Sequence, residues 1–494
     1  MLRNKLDYKA LIAFLFFTVF QYPAVAQNKL LSLNYFAKQN YQKAFASVDS
    51  TVQTSFWPQL ENQHPLDSIY GHSDKQKYYY AFTRKLFRDH LVEIKGKDYN
   101  FTFNVLFDFQ LGYDFADTTT IDRKRIFNNT RGFIIQGDIG KRISFFTSVY
   151  ENQSRFPLII NSYVDSLGIV PGQGRVKPNI GKDIGRDYNS SYGVLSVQAF
   201  PWLNLQFGHG KHFIGSGYRS LLISDNAYNY PYLQTSILKK KWQYHFWYSD
   251  LRVLERMPKG SVPESLFKRK SGNFYYFNYL PHPRVELGVF ESVIWQEWDD
   301  IKGSLPFEGK KLIPIIGLNH LLSKNSYSRL GLNGKIKISN QMSFYSQAFW
   351  SENSKGNQFG LSYFDMMVKN LTIQLEYNTS KYTLDTLISN LRDYYHFNQS
   401  LAHPLNDEFE ELVFIINYRY NRWLSQAKII TQMEGDNDRT IIDLQTSLLL
   451  NPKVNMNLTI GWIYREDLKL TQNQKTQWIY LAFRTAIGNK YYDF

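Results

Sequence analysis

The chain has 494 residues, no cysteine and a formal net charge of +14, and aromatic residues make up 17% of it at a mean hydropathy of −0.39. Without cysteine it has no disulfide, no thiolate metal site and no lipidated cysteine. Few soluble folds need so many aromatic side chains, whereas a β-barrel in a membrane sets them in girdles at both lipid interfaces and keeps its lumen and loops polar.

The first 26 residues predict a secretory signal peptide. Three basic residues precede an apolar run from Ala10 to Phe20, and Ala24 to Ala26 supply small residues for signal peptidase. The run is shorter than the roughly 20 apolar residues that span a bilayer. We therefore expect cleavage after Ala26, and the loss of three basic residues and Asp7 lowers the net charge from +14 to +12.

The remaining positive charge suits anionic partners. Acidic sugars and lipid head groups are the partners that an exported chain meets. Nucleic acid is the competing partner, but the sequence carries no compact block of lysine and arginine. We therefore expect polysaccharide and membrane lipid as partners, and no nucleic acid.

For residues 27–98, the sequence predicts a small periplasmic segment before the barrel. From Tyr78 to Ile94, apolar residues recur at helical spacing with basic residues between them, which is typical of an amphipathic helix. The helix is expected to lie on the periplasmic side, before the first strand.

Residues 99–494 predict the barrel itself. In the segment from Phe101 to Leu111, every second residue is apolar and faces one side, and apart from Leu106 the residues between them are polar. Sixteen further segments of this kind follow, several of them joined by turn residues. They begin at Phe133, Ile143, Tyr192, Leu203, Tyr244, Phe274, Val285, Arg329, Ser343, Gln358, Leu371, Leu412, Leu424, Thr440, Val454 and Gln477.

The length of this region predicts the number of strands. A transmembrane strand needs about 9 to 11 residues, so the region holds roughly 16 to 20 strands, and an even number near 18 is expected. The fold class is therefore all-β: a closed, antiparallel transmembrane barrel of about 18 strands. A soluble β-sandwich or propeller would also alternate, but it would not explain the aromatic content.

Two segments near the end depart from the strand pattern. From Tyr382 to Leu391, apolar residues at helical spacing indicate a long surface loop or a plug in the lumen. The alternation fades beyond Ile487, so the last strand is expected to end near there and to leave a short tail that finishes in Phe494.

The densest motif runs from Phe207 to Ser220 and is rich in glycine. It is not a phosphate-binding loop, since Leu205 stands where that motif needs glycine. His209 and His212 lack further metal-ligating neighbours, so no metal site is expected. Residues of this motif and just upstream of it are candidates to bind anionic sugars from the lumen: Arg186, Tyr188, Lys211, His212 and Arg219. Ion pairs of these cations with Asp225 or Glu151 are the alternative.

Catalysis is not indicated. A hydrolase in a barrel wall would need a serine, a histidine and a polar orienting residue brought together. Ser220, His245 and Asn278 could be nominated, but their spacing does not select them. We expect neither an enzyme nor a cofactor.

Four stretches carry a resemblance to a known family. They are Arg84–Leu91, Tyr150–Pro157, Phe213–Asp225 and Leu401–Leu405, and they spread over most of the chain from about residue 80. With them the chain resembles the Wzi-like capsule-assembly outer-membrane proteins of the Bacteroidetes, which include the gliding-motility protein RemB. The stretch from Phe213 is the most specific of the four.

This resemblance implies an 18-stranded barrel with a helical portion at one mouth, located in the outer membrane. It also implies a non-enzymatic, lectin-like role in the assembly or attachment of capsular or other surface polysaccharide. Two alternatives stay open: a component of gliding motility or surface-protein secretion that binds protein partners, and a porin. The resemblance offers no catalytic motif to transfer.

Overall fold

The computed structural model describes residues 34–59, 80–117, 124–177, 185–257, 267–299, 301–322, 326–382, 391–405, 408–468, 473–485 and 490–494. The predicted signal peptide lies outside these ranges and stays a prediction. Most of the segment from Tyr382 to Leu391 also lies outside them.

Eighteen antiparallel strands form a closed barrel, as the sequence predicted. Each strand pairs with the next one along the chain, and the last strand pairs with the first. The strands are β1 Tyr99–Asp114, β2 Arg125–Ile139, β3 Ile143–Arg155, β4 Arg186–Phe200, β5 Leu203–Gly210, β6 Tyr230–Leu238, β7 Trp242–Arg256, β8 Phe267–His282, β9 Val285–Gln296, β10 Ser326–Lys337, β11 Met342–Ser351, β12 Ser354–Phe364, β13 Leu371–Tyr382, β14 Phe409–Tyr420, β15 Trp423–Glu434, β16 Asn437–Asn451, β17 Met456–Leu468 and β18 Gln474–Arg484.

The two ends of the barrel differ in their connections. At one end, short turns such as 140–142 and 201–202 join the strands. At the other end, several connections are long, including 156–185, 211–229, 297–325 and 383–408. In outer-membrane barrels the short turns face the periplasm and the long loops face the exterior. We call the two ends the short-turn end and the long-loop end.

The strands alternate between an apolar outer face and a mostly polar inner face. Exposed apolar residues point outward around the wall, among them Leu195, Leu233, Leu287, Leu332, Phe359, Leu375, Leu412, Leu444, Ile460 and Leu481. Buried polar residues point inward, among them Asn204, Gln206, Gln234, Asn333, Gln347, Gln358, Gln374 and Asn378. This is the surface of a membrane-spanning barrel, because only a closed sheet satisfies every backbone group in lipid.

Strand β6 is the one strand that the sequence pattern did not reveal. Tyr230 and Tyr232 point into the lumen and are buried there, so the bulky residues of this strand lie on its inner face. Pro231 also argues against a strand in a sequence. The outer face of β6 is nevertheless exposed and apolar at Leu233, so the strand resembles the rest of the wall once its inward tyrosines are recognised.

The predicted helix from Tyr78 to Ile94 is too long. Within the described residues the helix covers only Ala81–Phe87, and Val92–Lys95 forms a short strand instead. This short strand pairs with residues 100–103 of β1. They lie on the short-turn side of Asp108, which is the β1 residue that pairs with Arg484 at the end of β18. The short strand therefore extends the last strand across the seam of the barrel, where unpaired backbone groups of β1 would otherwise face the membrane.

The core of the molecule lies inside the barrel. The largest cluster of buried apolar side chains joins inward residues of the wall, such as Trp247 and Phe290, to residues of the loops that fold into the lumen. Three further helices are α1 Tyr35–Ala44, α3 Leu158–Leu167 and α4 Leu318–Leu322, with Ala81–Phe87 as α2. In the described part of the chain, no helix is both long and apolar enough to cross a bilayer.

Candidate functional site

Four segments of the chain fill the lumen. They are residues 34–59 before the barrel, the loop 211–229 between β5 and β6, residues 391–405 between β13 and β14, and the tail 490–494. We call them the N-terminal plug, the inward loop, the lid and the tail. Most of their side chains are buried against the wall or against one another.

The N-terminal plug enters from the short-turn end. Lys43 on α1 pairs with Asp365 in the turn between β12 and β13, with Nζ to Oδ1 at 2.6 Å. Further along, Phe56–Trp57 forms a two-stranded antiparallel sheet with Phe213–Ile214 of the inward loop. The plug and the inward loop therefore meet within the barrel and share backbone hydrogen bonds.

Charged groups of the wall hold the N-terminal plug in place. The Glu286 carboxylate on β9 accepts hydrogen bonds from the backbone N–H groups of Thr54 and Ser55. Lys335 Nζ on β10 donates to Thr54 Oγ1 at 3.0 Å, and Lys337 Nζ donates to the Ser50 carbonyl at 2.8 Å. These contacts satisfy backbone groups that form no sheet with the wall.

The inward loop is fixed by a buried ion cluster centred on Arg219. Its guanidinium donates to Glu411 on β14 and to Asp493 of the tail, both at 3.0 Å. Lys428 on β15 contacts the other carboxylate oxygen of Asp493 at 2.6 Å, and Tyr218 Oη donates to that same oxygen. Burial opposes ionisation of Asp493, but Arg219 and Lys428 hold its pKa below its usual range.

One glycine of the inward loop owes its identity to this packing. A Cβ atom at Gly217 would lie 2.3 Å from Glu376 Oε2 on β13. That carboxylate accepts hydrogen bonds from the backbone N–H groups of Tyr218 at 2.8 Å and of Arg219 at 3.0 Å. The glycine-rich motif that the sequence singled out thus lets the loop backbone approach the wall.

The lid closes the lumen from the long-loop side. Tyr394 Oη donates to the Leu222 carbonyl of the inward loop at 2.7 Å. Asp393 pairs with Lys270 on β8, and His403 Nε2 contacts Glu411 at 2.7 Å. The lid therefore contacts the inward loop and the inner face of the wall at two places, on β8 and on β14.

Two of the predicted sugar-binding residues lie at the start of β4. Arg186 pairs with Asp165 on α3 and donates to Asn161 Oδ1 at 3.1 Å. Tyr188 is buried, and its hydroxyl lies 3.0 Å from Ser154 Oγ. Both side chains are therefore engaged by neighbouring parts of the wall and of α3.

The other three predicted residues lie on the inward loop. Lys211 Nζ donates to the carbonyl groups of Gly172 at 2.6 Å and of Asp225 at 2.9 Å, and burial lowers its pKa to about 8. His212 is fully buried, and Arg219 belongs to the ion cluster. The structure does not gather the five residues around one open pocket, and ligand binding by them stays a prediction.

The buried side chain of His212 on the inward loop predicts that the stability of the folded protein depends on pH. Its Nε2 lies 2.7 Å from Gln234 Oε1, which can only accept, so Nε2 carries the proton and Nδ1 accepts from Tyr230 Oη at 3.0 Å. Burial lowers its pKa to about 3. Between pH 6.5 and 3 the unfolded state therefore binds a proton that the folded state does not, and stability falls as the pH drops through this range, by at most about 1.4 kcal/mol per pH unit.

Thermal unfolding, followed by heat-modifiable gel migration at pH 7.5 and pH 5, is the measurement for this prediction. Burial also lowers the pKa of His396 in the lid, so the wild-type slope has more than one source. The variant His212→Gln cannot be protonated and is expected to lose part of the acid destabilisation. An unchanged difference between the two pH values in the variant would contradict the assignment to His212.

A second cluster, which the sequence did not predict, lies at the long-loop mouth. Phe267 at the start of β8 is contacted by the guanidinium groups of Arg175 at 5.0 Å and of Arg256 at 5.4 Å from the ring centroid. Phe397 of the lid packs between Phe267 at 6.0 Å and Tyr228 of the inward loop at 5.4 Å. We call these five residues the mouth cluster.

The mouth cluster stays partly open to solvent. Arg256 is exposed, and the other four residues are half-buried. Phe397 and Asn398 both have positive φ, 49° and 58°, in the tight turn that joins Tyr395–His396 to Gln399–Ser400. A bulky residue rarely adopts this conformation, and strain of this kind is concentrated at functional sites. The mouth cluster as a whole presents aromatic and cationic groups together, and this combination can bind acidic sugars.

The residues nominated for catalysis are all engaged elsewhere. Ser220 Oγ donates to the Ile214 carbonyl at 2.6 Å, His245 contacts Ser236 Oγ at 2.9 Å, and Asn278 donates to Glu286 at 2.6 Å. In the described part of the chain they bond to these groups rather than to one another. Over the same residues, no group of three or more histidine, aspartate or glutamate side chains is arranged to hold a metal ion.

Comparison of the fold with solved structures finds outer-membrane barrels. Wzi of Escherichia coli, described as a carbohydrate-binding β-barrel involved in group 1 capsule assembly, superposes with a TM-score of 0.54 at 12% identity. The match covers 93% of this chain and all of that one. OccAB2 of Acinetobacter baumannii gives a TM-score of 0.46 at 11% identity, over 78% of this chain and 97% of that one. OprD of Pseudomonas aeruginosa gives 0.43 at 9% identity, over 78% and 96%.

Comparison of the sequence gives no relative: no protein-family profile matches it, and no curated protein does. At 12% identity, the likeness to Wzi is one of fold. The barrel architecture that the resemblance implied is therefore confirmed, whereas the relation to the Bacteroidetes family and the role in capsule assembly stay predictions.

Proposed function

We propose that this chain is an outer-membrane barrel, closed to passive conduction, that holds an acidic surface polysaccharide at its long-loop mouth. The observation that carries the proposal is the mouth cluster, in which two arginines and three aromatic side chains stand partly exposed above a filled lumen. Its role is attachment or assembly of the polysaccharide, without catalysis.

The filled lumen supports this proposal over a porin. The N-terminal plug, the inward loop and the lid contact one another along the barrel, through Phe56–Trp57 against Phe213–Ile214 and through Tyr394 against Leu222. A porin keeps a water-filled channel through its lumen. Purified protein in planar bilayers is therefore expected to show no discrete conductance steps, whereas open-channel steps in the wild type would favour the porin.

The chemistry of the mouth also favours a sugar ligand. Aromatic faces stack on the apolar faces of sugar rings, and arginine pairs with their carboxylate or phosphate substituents. The likeness of fold to a barrel described as carbohydrate-binding is consistent with this role. A protein partner in gliding motility or in surface-protein secretion is the second class of ligand, and the binding experiment distinguishes it.

Substitution of the mouth cluster is expected to weaken polysaccharide binding. We expect Phe397→Ala and Arg256→Gln each to raise the dissociation constant for the host's own acidic surface polysaccharide about tenfold, since a lost stacking or ionic contact contributes roughly 1 to 2 kcal/mol. Retention of the purified protein on immobilised polysaccharide measures this effect. Phe359→Ala, on the outer face of β12, is the matched control and is expected to bind as the wild type does.

Two results would contradict the proposal. One is wild-type protein that is not retained on the host's polysaccharide at low salt. The other is retention that both mouth variants leave unchanged. If deletion of the gene alters spreading while surface glycan is unchanged, and cross-linking in cells captures a gliding or secretion protein at the mouth, the protein-partner role replaces the polysaccharide role.

A further inference from the structure

Strands β8 and β9 carry polar side chains on their outer face. Phe274 and Tyr276 point into the lumen, where they contact Trp247 and Phe56. The residues between and beside them, including Asn273 and Tyr275, therefore point outward. Glu291 on β9 is the direct partner of Tyr275 and points outward as well.

These outward polar side chains lie at the level of the exposed apolar residues on the outer face of the barrel, which we call the apolar belt. Leu330 on β10 is the direct partner of Glu291, and Trp350 on β11 is the direct partner of Leu330. Both are open to the surroundings, with 43% and 48% of their surface exposed. Asn273 and Glu291, in contrast, are fully buried. A carboxylate facing hydrocarbon is costly, so something must cover it.

The cover is part of the connection between β9 and β10, and it lies against the outside of the barrel. We call residues 305–321 the outer flap. Tyr275 Oη donates to the Ile313 carbonyl at 3.0 Å, and the Gly317 N–H donates to Glu291 Oε2 at 2.5 Å. Tyr244 Oη on the outer face of β7 donates to the Pro314 carbonyl at 2.7 Å. The flap backbone thus bonds to the polar groups of Tyr244, Tyr275 and Glu291 on the outer face of the wall.

Buried side chains of the flap complete this interface. Lys311 pairs with Glu297 just beyond β9, and its carbonyl accepts from Asn273 Nδ2. Asn319 on α4 donates to Tyr275 Oη and to the Ile313 carbonyl. The side of the flap that faces the barrel is therefore polar and matched to the wall.

The opposite side of the flap exposes four large apolar side chains, beside the exposed ion pair of Lys310 with Glu308. Phe307 and Ile315 each leave 54% of their surface open, Leu312 leaves 43% and Leu321 leaves 78%. These residues stand over strands whose uncovered outer positions, such as Leu287 and Val289, also face outward. The exposed side of the flap is thus continuous with the lipid-facing belt.

We propose that the outer flap docks into the membrane, with its exposed apolar side among the acyl chains of the surrounding bilayer. It replaces hydrocarbon over Asn273, Tyr275 and Glu291 and presents an apolar surface in their place. The inference follows from the continuity of the flap with the belt, and it does not depend on polysaccharide binding at the mouth.

Site-specific labelling tests this proposal, because the chain has no native cysteine. Ile315→Cys and Leu321→Cys are each labelled with a small fluorophore and reconstituted in phosphatidylcholine vesicles whose acyl chains carry bromine, a short-range quencher. Leu330→Cys on the belt is the membrane reference. Asp436→Cys, in the exposed turn between β15 and β16, is the aqueous reference. Heat-modifiable migration confirms that each labelled barrel is folded.

We expect quenching at Ile315 and Leu321 within about twofold of that at Leu330, and at least about fivefold stronger than at Asp436. Quenching as weak as at Asp436 overturns the proposal. So does protection from quenching together with cross-linking of Ile315→Cys to a second copy or to another protein, since the flap would then be a protein interface. Loss of polysaccharide binding in other variants leaves this result untouched.

Discussion

Replacing Arg219 with methionine is expected to turn a non-conducting barrel into a conducting one. Methionine retains an apolar stem of similar length but leaves Glu411 and Asp493 without their shared counter-charge. Breaking a buried ion pair by removing one partner costs about 3 to 5 kcal/mol. Because the ladder of wall hydrogen bonds is unaffected, the cost falls on the inward loop and the tail, which are held by the same cluster.

Planar-bilayer recording measures this effect. We expect discrete conductance steps for Arg219→Met, against an unbroken baseline for the wild type. Arg131→Met is the matched control, because Arg131 is exposed on β2. Within the described residues its guanidinium donates a hydrogen bond to Gln153 and takes no part in the ion cluster. An Arg219→Met barrel that is folded, as judged by gel migration, but shows no conductance steps would mean that the ion cluster does not keep the inward loop and the tail in the lumen.

Replacing Trp57 with alanine is expected to release the N-terminal plug. Trp57 is fully buried, its Nε1 donates to the Thr54 carbonyl at 2.9 Å, and its ring packs edge-on against Tyr41 at 5.3 Å. Truncation of a buried tryptophan to alanine costs about 3 to 5 kcal/mol. At about 1.4 kcal/mol for each factor of ten, the undocked population rises by at least about 100-fold.

A single introduced thiol reports this release. Ser55→Cys places it beside Trp57 at a position that is fully buried in the native chain, and the rate of its reaction with a maleimide measures the undocked fraction. We expect that rate to rise at least about 100-fold in the Trp57→Ala background. Trp350→Ala, on the exposed outer face of β11, is the control and should leave the rate unchanged. A slow reaction in both backgrounds would mean that the plug is held mainly by Glu286 and Lys335.

The wall of the barrel was predictable because its outer face repeats every two residues. Seventeen of the eighteen strands carry this alternation clearly enough to be recognised, and closure and strand number follow from their total length. Strand β6 was not recognised in the sequence because its tyrosines face inward. The end of the predicted helix near Ile94 is a strand instead, because it pairs with β1 there.

The mouth cluster, our candidate site, was not predictable, because it is assembled from distant parts of the chain. Arg175, Tyr228 and Phe397 come from three separate connections of the barrel, and they meet Arg256 at the end of β7 and Phe267 at the start of β8 only at the mouth. Only the Phe397-Asn398 turn leaves a local signal, since asparagine favours positive φ in tight hairpins. The glycines of the inward loop are recognisable in the sequence, but nothing in the sequence indicates which carboxylates Arg219 contacts.

The segments that occupy the lumen also have a consequence for how the barrel assembles. Closure brings β18 against β1 across nearly the whole length of the barrel region, and such non-local pairing has a large entropic cost and is slow. A sheet that curls around an apolar interior of its own chain gains buried surface before its edges meet. We therefore expect the interior segments to assist closure of the barrel, and defects in them to slow insertion even where the wall of the folded barrel is unchanged.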